Sequence, residues 1–186
     1  FNNLAIIVSK FKFVTYERRI MNKKTIIFDL DGTLIDSLQD ISLCANQVLK
    51  KLNYPTHQME DFKYFIGDGA KELMRRCLPS NLEDSEIEKA LILFKKYYSN
   101  NVHDNTKPFD GIYKLLDTLQ KNNCSLNVLS NKPHEFTIQY VDKLFLDYTF
   151  DEVHGQKDGF PRKPAPDGAL KIAKNLNTNP NEIFYV

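Results

Sequence analysis

The sequence TIIFDLDGTL occupies residues 25–34 and sets the expected architecture of the chain. Its first four residues, Thr25–Phe28, form an apolar, β-branched run without polar alternation, which is typical of a strand buried on both faces in a parallel sheet. Asp29 and Asp31 follow at the expected carboxyl end of this strand, where open parallel sheets bind ligands. Gly32 then permits a sharp turn that a side chain would hinder. The pattern predicts a ligand site at the two aspartates.

Paired carboxylates at a strand end suit nucleophilic and acid–base chemistry. One carboxylate attacks an electrophile and forms a covalent intermediate, and the other gives a proton to the leaving group. Because two like charges repel, we also expect a cation between them and an anionic substrate, and Mg²⁺ binds through one or two carboxylates plus phosphate. The alternative is that Asp29 and Asp31 form a solvated turn that caps the next helix.

Composition restricts the class of protein. The chain has 186 residues, 42% of them hydrophobic and 26% charged, as in ordinary globular proteins. A net charge of +1 gives no electrostatic reason to expect a nucleic acid or an anionic membrane as partner. Three widely spaced cysteines without metal-site spacing are typical of reduced thiols. The longest early apolar run, Leu4–Val8, is too short to span a membrane. We therefore expect a cytoplasmic protein.

The chain divides into a helical part and an α/β part. Residues 37–100 have apolar positions at helical spacing, with Ser37 as the expected N-cap of the first helix and Asp40 as its capping-box partner. Later, strand-like runs at Ser125–Asn131 and about Tyr148–Val153 alternate with helical segments, and a further one follows at the end of the sequence. We therefore predict an α/β fold with a helical module inserted after the first strand.

Later strand ends carry polar residues that complement the two carboxylates. Ser130 and Asn131 end one predicted strand, and Lys163 lies in the loop after the next one. Parallel strands with right-handed crossovers bring these ends to one edge of the sheet. A hydroxyl, an amide and an ammonium group beside two carboxylates suit a phosphoryl group. Taken singly, Ser130-Asn131 also fits a turn or a helix N-cap, and Lys163 also fits a solvated loop.

These three motifs together resemble those of the haloacid dehalogenase-like superfamily. The matching residues are DLDGTL at 29–34, Ser130 at its strand end, and Lys163 in KPAPD. Phosphoryl-transfer members carry the second aspartate, here Asp31, whereas the dehalogenases lack it. Three looser matches are similar to the phosphoglycolate phosphatase branch and are shared with neighbouring branches, including β-phosphoglucomutases. They are IGDGA at 66–70, TKPFDGI at 106–112 and NKP at 131–133.

The resemblance implies a domain organisation. It implies a three-layer, Rossmann-like parallel-sheet core formed by residues 21–36 and 101–186, with an inserted small helical cap domain at 37–100. In the family the first motif lies close to the initiating methionine. We therefore expect Met21 to be the natural start and residues 1–20 to be a non-native extension. The alternative for residues 1–20 is an extra strand at a sheet edge.

The resemblance also implies roles for the catalytic residues. Asp29 attacks phosphorus and becomes an aspartyl phosphate, while Asp31 protonates the leaving alcohol and later activates water. The Asp29 carboxylate and the Asp31 main-chain carbonyl hold Mg²⁺, the expected cofactor. Ser130, the Asn131 backbone and Lys163 hold the phosphoryl oxygens.

Further residues of the family pattern would position or select the substrate. Thr33 steadies the turn after the carboxylates. The cap loop formed by Gly67, Asp68 and Gly69 closes over the site, although a plain break between helices fits these residues equally well. Arg75 suits a substrate carboxylate because a guanidinium group matches its geometry. The alternative for Arg75 is a solvated helix face.

We therefore predict a Mg²⁺-dependent phosphatase that acts on a small phosphate monoester, with phosphoglycolate favoured. Two alternatives remain open. One is a catalytically impaired fragment or pseudoenzyme that binds phosphate ligands, and the other is a sugar-phosphate mutase. A fourth family motif, Gly-Asp and usually a later Asp, is expected directly after the strand at Ile183–Val186, where the given sequence ends. Without those carboxylates, we expect weak Mg²⁺ binding and little turnover.

Overall fold

The computed structural model describes residues 24–100 and 105–186. The predicted extension, residues 1–20, lies outside this part of the chain. Six strands are described: β1 (Thr25–Phe28), β2 (Ile35–Asp36), β3 (Lys107–Pro108), β4 (Ser125–Pro133), β5 (Glu152–Gln156) and β6 (Ile183–Tyr185). The α-helices of the described ranges are α1 (Leu38–Lys51), α2 (Phe62–Phe65), α3 (Ala70–Cys77), α4 (Asp84–Asn100), α5 (Ile112–Lys121), α6 (His134–Leu144) and α7 (Asp167–Asn175). None of these helices has the length and apolarity that a membrane-spanning segment requires.

Four strands form one parallel sheet in the order β5-β4-β1-β6. The central strand β1 is buried on both faces, as its apolar run predicts. Ile26 and Phe28 belong to the larger hydrophobic cluster, whereas Ile27 packs with Leu129 and Ile172 on the other side. The larger cluster draws on α5 and α6, and the smaller one on α7, so helices cover the sheet on both sides. The α/β class and the parallel sheet are confirmed.

Helices α1 to α4 lie between two short strands that pair with each other. β2 and β3 are antiparallel, with Ile35 opposite Pro108 and Asp36 opposite Lys107. The chain therefore leaves and returns to the sheet at one place, which fits an inserted helical segment. Buried residues of α1, α3 and α4 join the same hydrophobic cluster as β1 and β4. The division into a core and a cap domain stays a prediction.

One strand lies further along the chain than the sequence pattern predicts. β5 begins at Glu152, whereas the apolar run indicated a strand over about Tyr148–Val153. The aromatic residues before Glu152 belong to a packed turn. The Tyr148 amide donates to the Phe145 carbonyl, and its hydroxyl donates to Asp117 at 2.9 Å. Side-chain burial in a turn therefore produced the strand-like pattern.

The hydrogen bonds predicted for the N-cap of α1 are wrong. Ser37 occupies the N-cap position, but its side chain makes no capping hydrogen bond. Its hydroxyl instead donates to Asp31 Oδ1 at 2.6 Å. Asp40 is buried and accepts hydrogen bonds from Asn105 and Thr106, which precede β3. Both side chains therefore bind groups outside the helix rather than the helix end.

Gly155 allows β5 to lie against the first turn of α6, so Gly155→Ala is expected to destabilise the protein. A Cβ atom at this position would lie 2.3 Å from Thr137 Oγ1 and 2.6 Å from both His134 Cα and the Lys132 carbonyl oxygen. Because two of these atoms are backbone, we expect a loss of about 1–3 kcal/mol in the free energy of unfolding, measured by urea denaturation.

Gly168→Ala is the matched control for this prediction. A Cβ atom at Gly168 would contact only the side chain of Leu129, which can adjust, and Ala favours the helix in which Gly168 lies. The smaller loss is therefore expected for Gly168→Ala. Equal losses for the two variants would contradict a backbone clash at Gly155.

Candidate active site

The turn after β1 presents its two carboxylates at the carboxyl edge of the sheet. Gly32 has φ +81°, a left-handed conformation that favours glycine, and its amide donates to the Ile35 carbonyl at 2.9 Å. The Leu30 amide donates to Asp29 Oδ1 at 2.7 Å, which orients that carboxylate from its own turn. The Asp29 amide in turn donates to the carbonyl of Val186 beside β6. Backbone contacts thus fix the position of Asp29.

Lys163 is the cation closest to Asp29 among the described contacts. Its Nζ atom lies 2.7 Å from Asp29 Oδ1 and donates to the Leu129 carbonyl at 3.0 Å. The side chains of Lys163 and Asp29 are 17% and 30% exposed, so the pair is only partly open to solvent. Both described contacts of the Asp29 side chain are to Oδ1, which leaves Oδ2 available to a substrate or a metal ion.

Ser130 and Asn131 lie near the end of β4, beside the carboxylates. Ser130 Oγ accepts the Lys132 amide at 3.2 Å, which leaves the hydroxyl proton to donate to an anion. The Asn131 side chain ties two loops together. Its Nδ2 donates to the carbonyls of Gly67 at 2.9 Å and Lys163 at 3.1 Å, and its Oδ1 accepts the Lys163 amide at 2.9 Å. The Asn131 side chain therefore orders the loop that carries Lys163.

Asp31 accepts from two side chains that sequence reasoning did not connect with it. Ser37 donates to Oδ1 at 2.6 Å, while Lys132 Nζ lies 3.1 Å from Oδ1 and 3.2 Å from Oδ2. Lys132 also donates to the Tyr98 hydroxyl at 2.8 Å. One sequence signal points to Lys132: it is a charged residue directly after the predicted strand Ser125–Asn131. Tyr98 gave none, because it matches the apolar face of α4.

Two tyrosines around Lys132 remain neutral. Burial, followed by the negative charge of Asp31, raises the pKa of Tyr98 well above its ordinary value. Burial also raises the pKa of Tyr140 to about 12. Neither phenol is therefore ionised near neutral pH. The ion-pair contact of Lys132 in this site is therefore with Asp31 and not with a phenolate.

The carboxylates lie in a cleft between the sheet edge and the helices α1, α3 and α4. It contains about 500 Å³ of space, part of it open to solvent. The polar side chains that line it are Asp29, Asp31, Tyr98, Ser130, Asn131 and Lys132. Its apolar wall consists of Ile41, Ile66, Leu73, Phe94, Pro133 and Phe136, together with Ala70. A small ligand in this cleft would have its polar groups at the sheet edge and its body against apolar side chains.

Some predicted substrate-binding residues lie at this cleft and others do not. Gly67 and Gly69 line it, whereas Thr33 lies in the turn behind Asp31 and is not among its lining residues. Asp68 pairs with Arg76. Arg75 pairs with Glu72 at 2.9 Å and Asp84 at 3.1 Å on the outer side of α3. The geometry gives no support to substrate binding by Thr33, Asp68 or Arg75, and their roles stay predictions.

The residues present offer part of a magnesium site. Asp29 Oδ2 and the main-chain carbonyl of Asp31 are hard oxygen donors on one turn, which is the donor chemistry that Mg²⁺ prefers. Within residues 24–100 and 105–186, no group of three or more His, Cys, Asp or Glu side chains could hold a metal ion. The donor set therefore fits a Mg²⁺ ion that also binds substrate oxygens and water.

Asn131→Asp is expected to loosen the loop that carries Lys163. The aspartate keeps the acceptor for the Lys163 amide but loses both donors to the carbonyls of Gly67 and Lys163. Because two part-buried carbonyls then face a carboxylate oxygen, we expect a loss of about 1–3 kcal/mol in the free energy of unfolding. Urea denaturation measures this loss. Asn81→Asp, in the exposed turn before α4, is the control, and equal losses in both variants would contradict the bridging role.

The fold and the site together define a class of protein. One edge of the parallel sheet brings together the carboxylate turn after β1, the Ser130 hydroxyl on β4 and Lys163 from the loop after β5. A family model described as haloacid dehalogenase-like hydrolase matches residues 26–186. The chain belongs to the haloacid dehalogenase-like hydrolase family.

Relatives within this family carry phosphatase names. The chain is 32% identical over 163 residues to the phosphoglycolate phosphatase of Aquifex aeolicus, covering 88% of this chain and 75% of that protein. It is 30% identical over 168 residues to the phosphoglycolate phosphatase of Pseudomonas syringae pv. tomato, covering 88% of this chain. It spans only 61% of the length of that Pseudomonas protein.

A solved structure has the same fold. A predicted phosphoglycolate phosphatase from Haemophilus somnus superposes with a TM-score of 0.81 at 27% identity, covering 89% of this chain and 77% of that one. Because the match covers 89% of this chain, it includes parts of both the sheet and the helical segment.

Proposed function

We propose that this protein is a phosphatase that hydrolyses a small phosphate monoester through an aspartyl-phosphate intermediate. One observation carries the proposal: Lys163 Nζ lies 2.7 Å from Asp29 Oδ1, while Asp31 and Ser130 line the cleft beside Asp29. A carboxylate nucleophile, a second carboxyl group and donors for phosphoryl oxygens are the parts that such a reaction needs.

The proposed reaction has two steps. In the first, a carboxylate oxygen of Asp29 forms a bond to phosphorus as the bond to the leaving oxygen breaks, and Asp31 gives that oxygen a proton. In the second, Asp31 removes a proton from water, which attacks phosphorus and releases inorganic phosphate and Asp29. Ser130 and Lys163 donate to the phosphoryl oxygens in both steps.

Magnesium is the proposed cofactor, held by the Asp29 carboxylate and the Asp31 main-chain carbonyl. When bound, it would offset the repulsion between the carboxylates and the phosphate. The donor chemistry of the turn supports this assignment.

Phosphoglycolate is the first substrate that we propose. The support comes from relatives at about 30% identity that carry this name. The cleft contains about 500 Å³ of space and has both polar and apolar lining residues, which suits a compact phosphate ester rather than a macromolecule.

The test is release of inorganic phosphate by the protein expressed from its complete gene, with Mg²⁺, from phosphoglycolate and from phenyl phosphate. Release from phosphoglycolate with a higher kcat/KM supports the full proposal. Release from phenyl phosphate alone would support the phosphatase activity and contradict phosphoglycolate as the substrate. Transfer of the phosphoryl group to a sugar without free phosphate would indicate a mutase, and phosphate binding without turnover would indicate a binding protein.

A further inference from the structure

Lys132 is a buried ammonium group inside the candidate site. Its side chain is 4% exposed, and Nζ lies over the rings of Tyr98 and Tyr140, at 4.7 Å and 4.8 Å from their centroids. Removing an ammonium group from water is unfavourable unless a charge partner and hydrogen bonds compensate it. Asp31 and the Tyr98 hydroxyl provide this compensation. Lys132 is therefore a buried residue of the site, with a charge partner and a hydrogen-bond acceptor of its own.

The contacts of Asp31 are unequal at its two oxygens. Oδ1 accepts from the Ser37 hydroxyl at 2.6 Å and from Lys132 at 3.1 Å, whereas Oδ2 has only Lys132, at 3.2 Å, among the described contacts. Lys132 therefore reaches both oxygens from one side and, with Ser37, fixes the plane of the carboxyl group. Among the described contacts, Oδ2 therefore accepts fewer hydrogen bonds than Oδ1.

Lys132 is itself held from both sides of the cleft. It belongs to β4, while Tyr98 belongs to α4, so their 2.8 Å hydrogen bond joins the sheet to the helical segment. The Tyr98 hydroxyl also contacts that of Tyr140 on α6 at 2.9 Å. Contacts from β4, α4 and α6 thus restrain one ammonium group. Charge compensation alone would need only the contact with Asp31.

We propose that Lys132 is a positioning residue for proton transfer by Asp31, a role that rests on the proposed phosphatase function. Lys132 holds the carboxyl group in the orientation in which its proton passes to the leaving oxygen. As the bond from phosphorus to that oxygen breaks, the proton leaves Asp31 for the alcohol, and the carboxylate that remains keeps Lys132 as its partner. Tyr98 contributes by holding the ammonium group in place.

Esters with different leaving groups distinguish this role from a structural one. A phenolate leaves poorly without a proton, whereas a dinitrophenolate leaves well without one, although the two rings have similar shape. Loss of proton transfer therefore lowers kcat/KM for phenyl phosphate much more than for dinitrophenyl phosphate. A general structural defect lowers both values together.

The experiment compares wild type with Lys132→Met, which keeps the length and apolar packing of the side chain. We expect kcat/KM for phenyl phosphate to fall by about 10–100-fold, part of the full contribution of a general acid, and the value for dinitrophenyl phosphate to change by no more than about threefold. Tyr98→Phe should show the same selectivity with a smaller loss. Lys114→Met, at an exposed position on α5, is the control and should match wild type.

Equal losses on the two esters, or no loss on either, would overturn the positioning role while leaving the phosphatase function intact. Wild type that hydrolyses neither ester would instead remove the proposed function. A thermal melt shows whether each variant is folded. If Lys132→Met does not fold, Tyr98→Phe decides the question, because it keeps the lysine and removes only the hydroxyl that holds it.

Discussion

Asp29→Asn is expected to reduce phosphate release by about four orders of magnitude or more, because an amide cannot act as the nucleophile. The substitution keeps the shape of the side chain, and its Oδ1 atom can still accept the Leu30 amide. The fold should therefore persist while the first step stops. The measurement is release of phosphate from phosphoglycolate and phenyl phosphate, together with a thermal melt of the variant.

Asp142→Asn is the control for this loss. It makes the same chemical change at an exposed position on α6, so wild-type turnover is expected. Substantial phosphate release by Asp29→Asn would contradict the nucleophile assignment and make Asp31 the alternative. A loss accompanied by a much lower melting temperature would instead point to the ion pair between Asp29 and Lys163 as a structural element.

Part of the site could be predicted from the sequence because it follows from the local residue pattern and from the topology of the sheet. The buried run before Asp29 identifies a central strand, and the structure places this strand between β4 and β6. Once the strands are parallel, their carboxyl ends share one edge, so Asp29, Ser130 and Lys163 meet although they are far apart in sequence. The 2.7 Å contact between Asp29 and Lys163 follows from this rule rather than from any local signal.

The part that sequence missed depends on contacts between side chains from separate elements. Local chemistry predicts a helix-cap role for Ser37, but the carboxyl group of Asp31 lies within reach and is a stronger acceptor for its hydroxyl. Tyr98 matches an apolar helical face, and its partner Lys132 is distant in sequence. Periodicity shows that Tyr98 is buried but contains no information about which polar group it meets.

For Arg75, the sequence predicted a ligand contact that the structure does not support. A guanidinium near a glycine-rich loop is a reasonable carboxylate ligand, yet acidic neighbours three and nine residues away, Glu72 and Asp84, bind it on the outer side of α3. Helical geometry places residues three apart on one face, which makes the Glu72 contact predictable in retrospect. Whether Arg75 contacts a substrate or acidic side chains depends on the rotation of α3 about its axis. The spacing of apolar residues in the sequence defines this rotation only approximately.

Asp31→Asn is expected to lower kcat by about 10²–10⁴-fold and to trap the aspartyl phosphate, because Asp31 is proposed to act in both steps. The asparagine cannot donate a carboxylic proton, so esters with poor leaving groups should react slowly at Asp29. Dinitrophenyl phosphate should still phosphorylate Asp29, since its leaving group needs no proton. Water then lacks its base, and the phosphorylated protein should accumulate.

Mass spectrometry of Asp31→Asn after mixing with dinitrophenyl phosphate measures this intermediate as the added mass of one phosphoryl group. The matched control is the double variant Asp29→Asn with Asp31→Asn, which should gain no such mass. A phosphoryl group on the double variant would place the nucleophile elsewhere. Turnover of Asp31→Asn at the wild-type rate, without accumulation, would remove Asp31 from the second step. Only a residue that serves both steps both slows formation of the aspartyl phosphate and slows its hydrolysis. This pair of results therefore separates acid–base catalysis from simple support of the site.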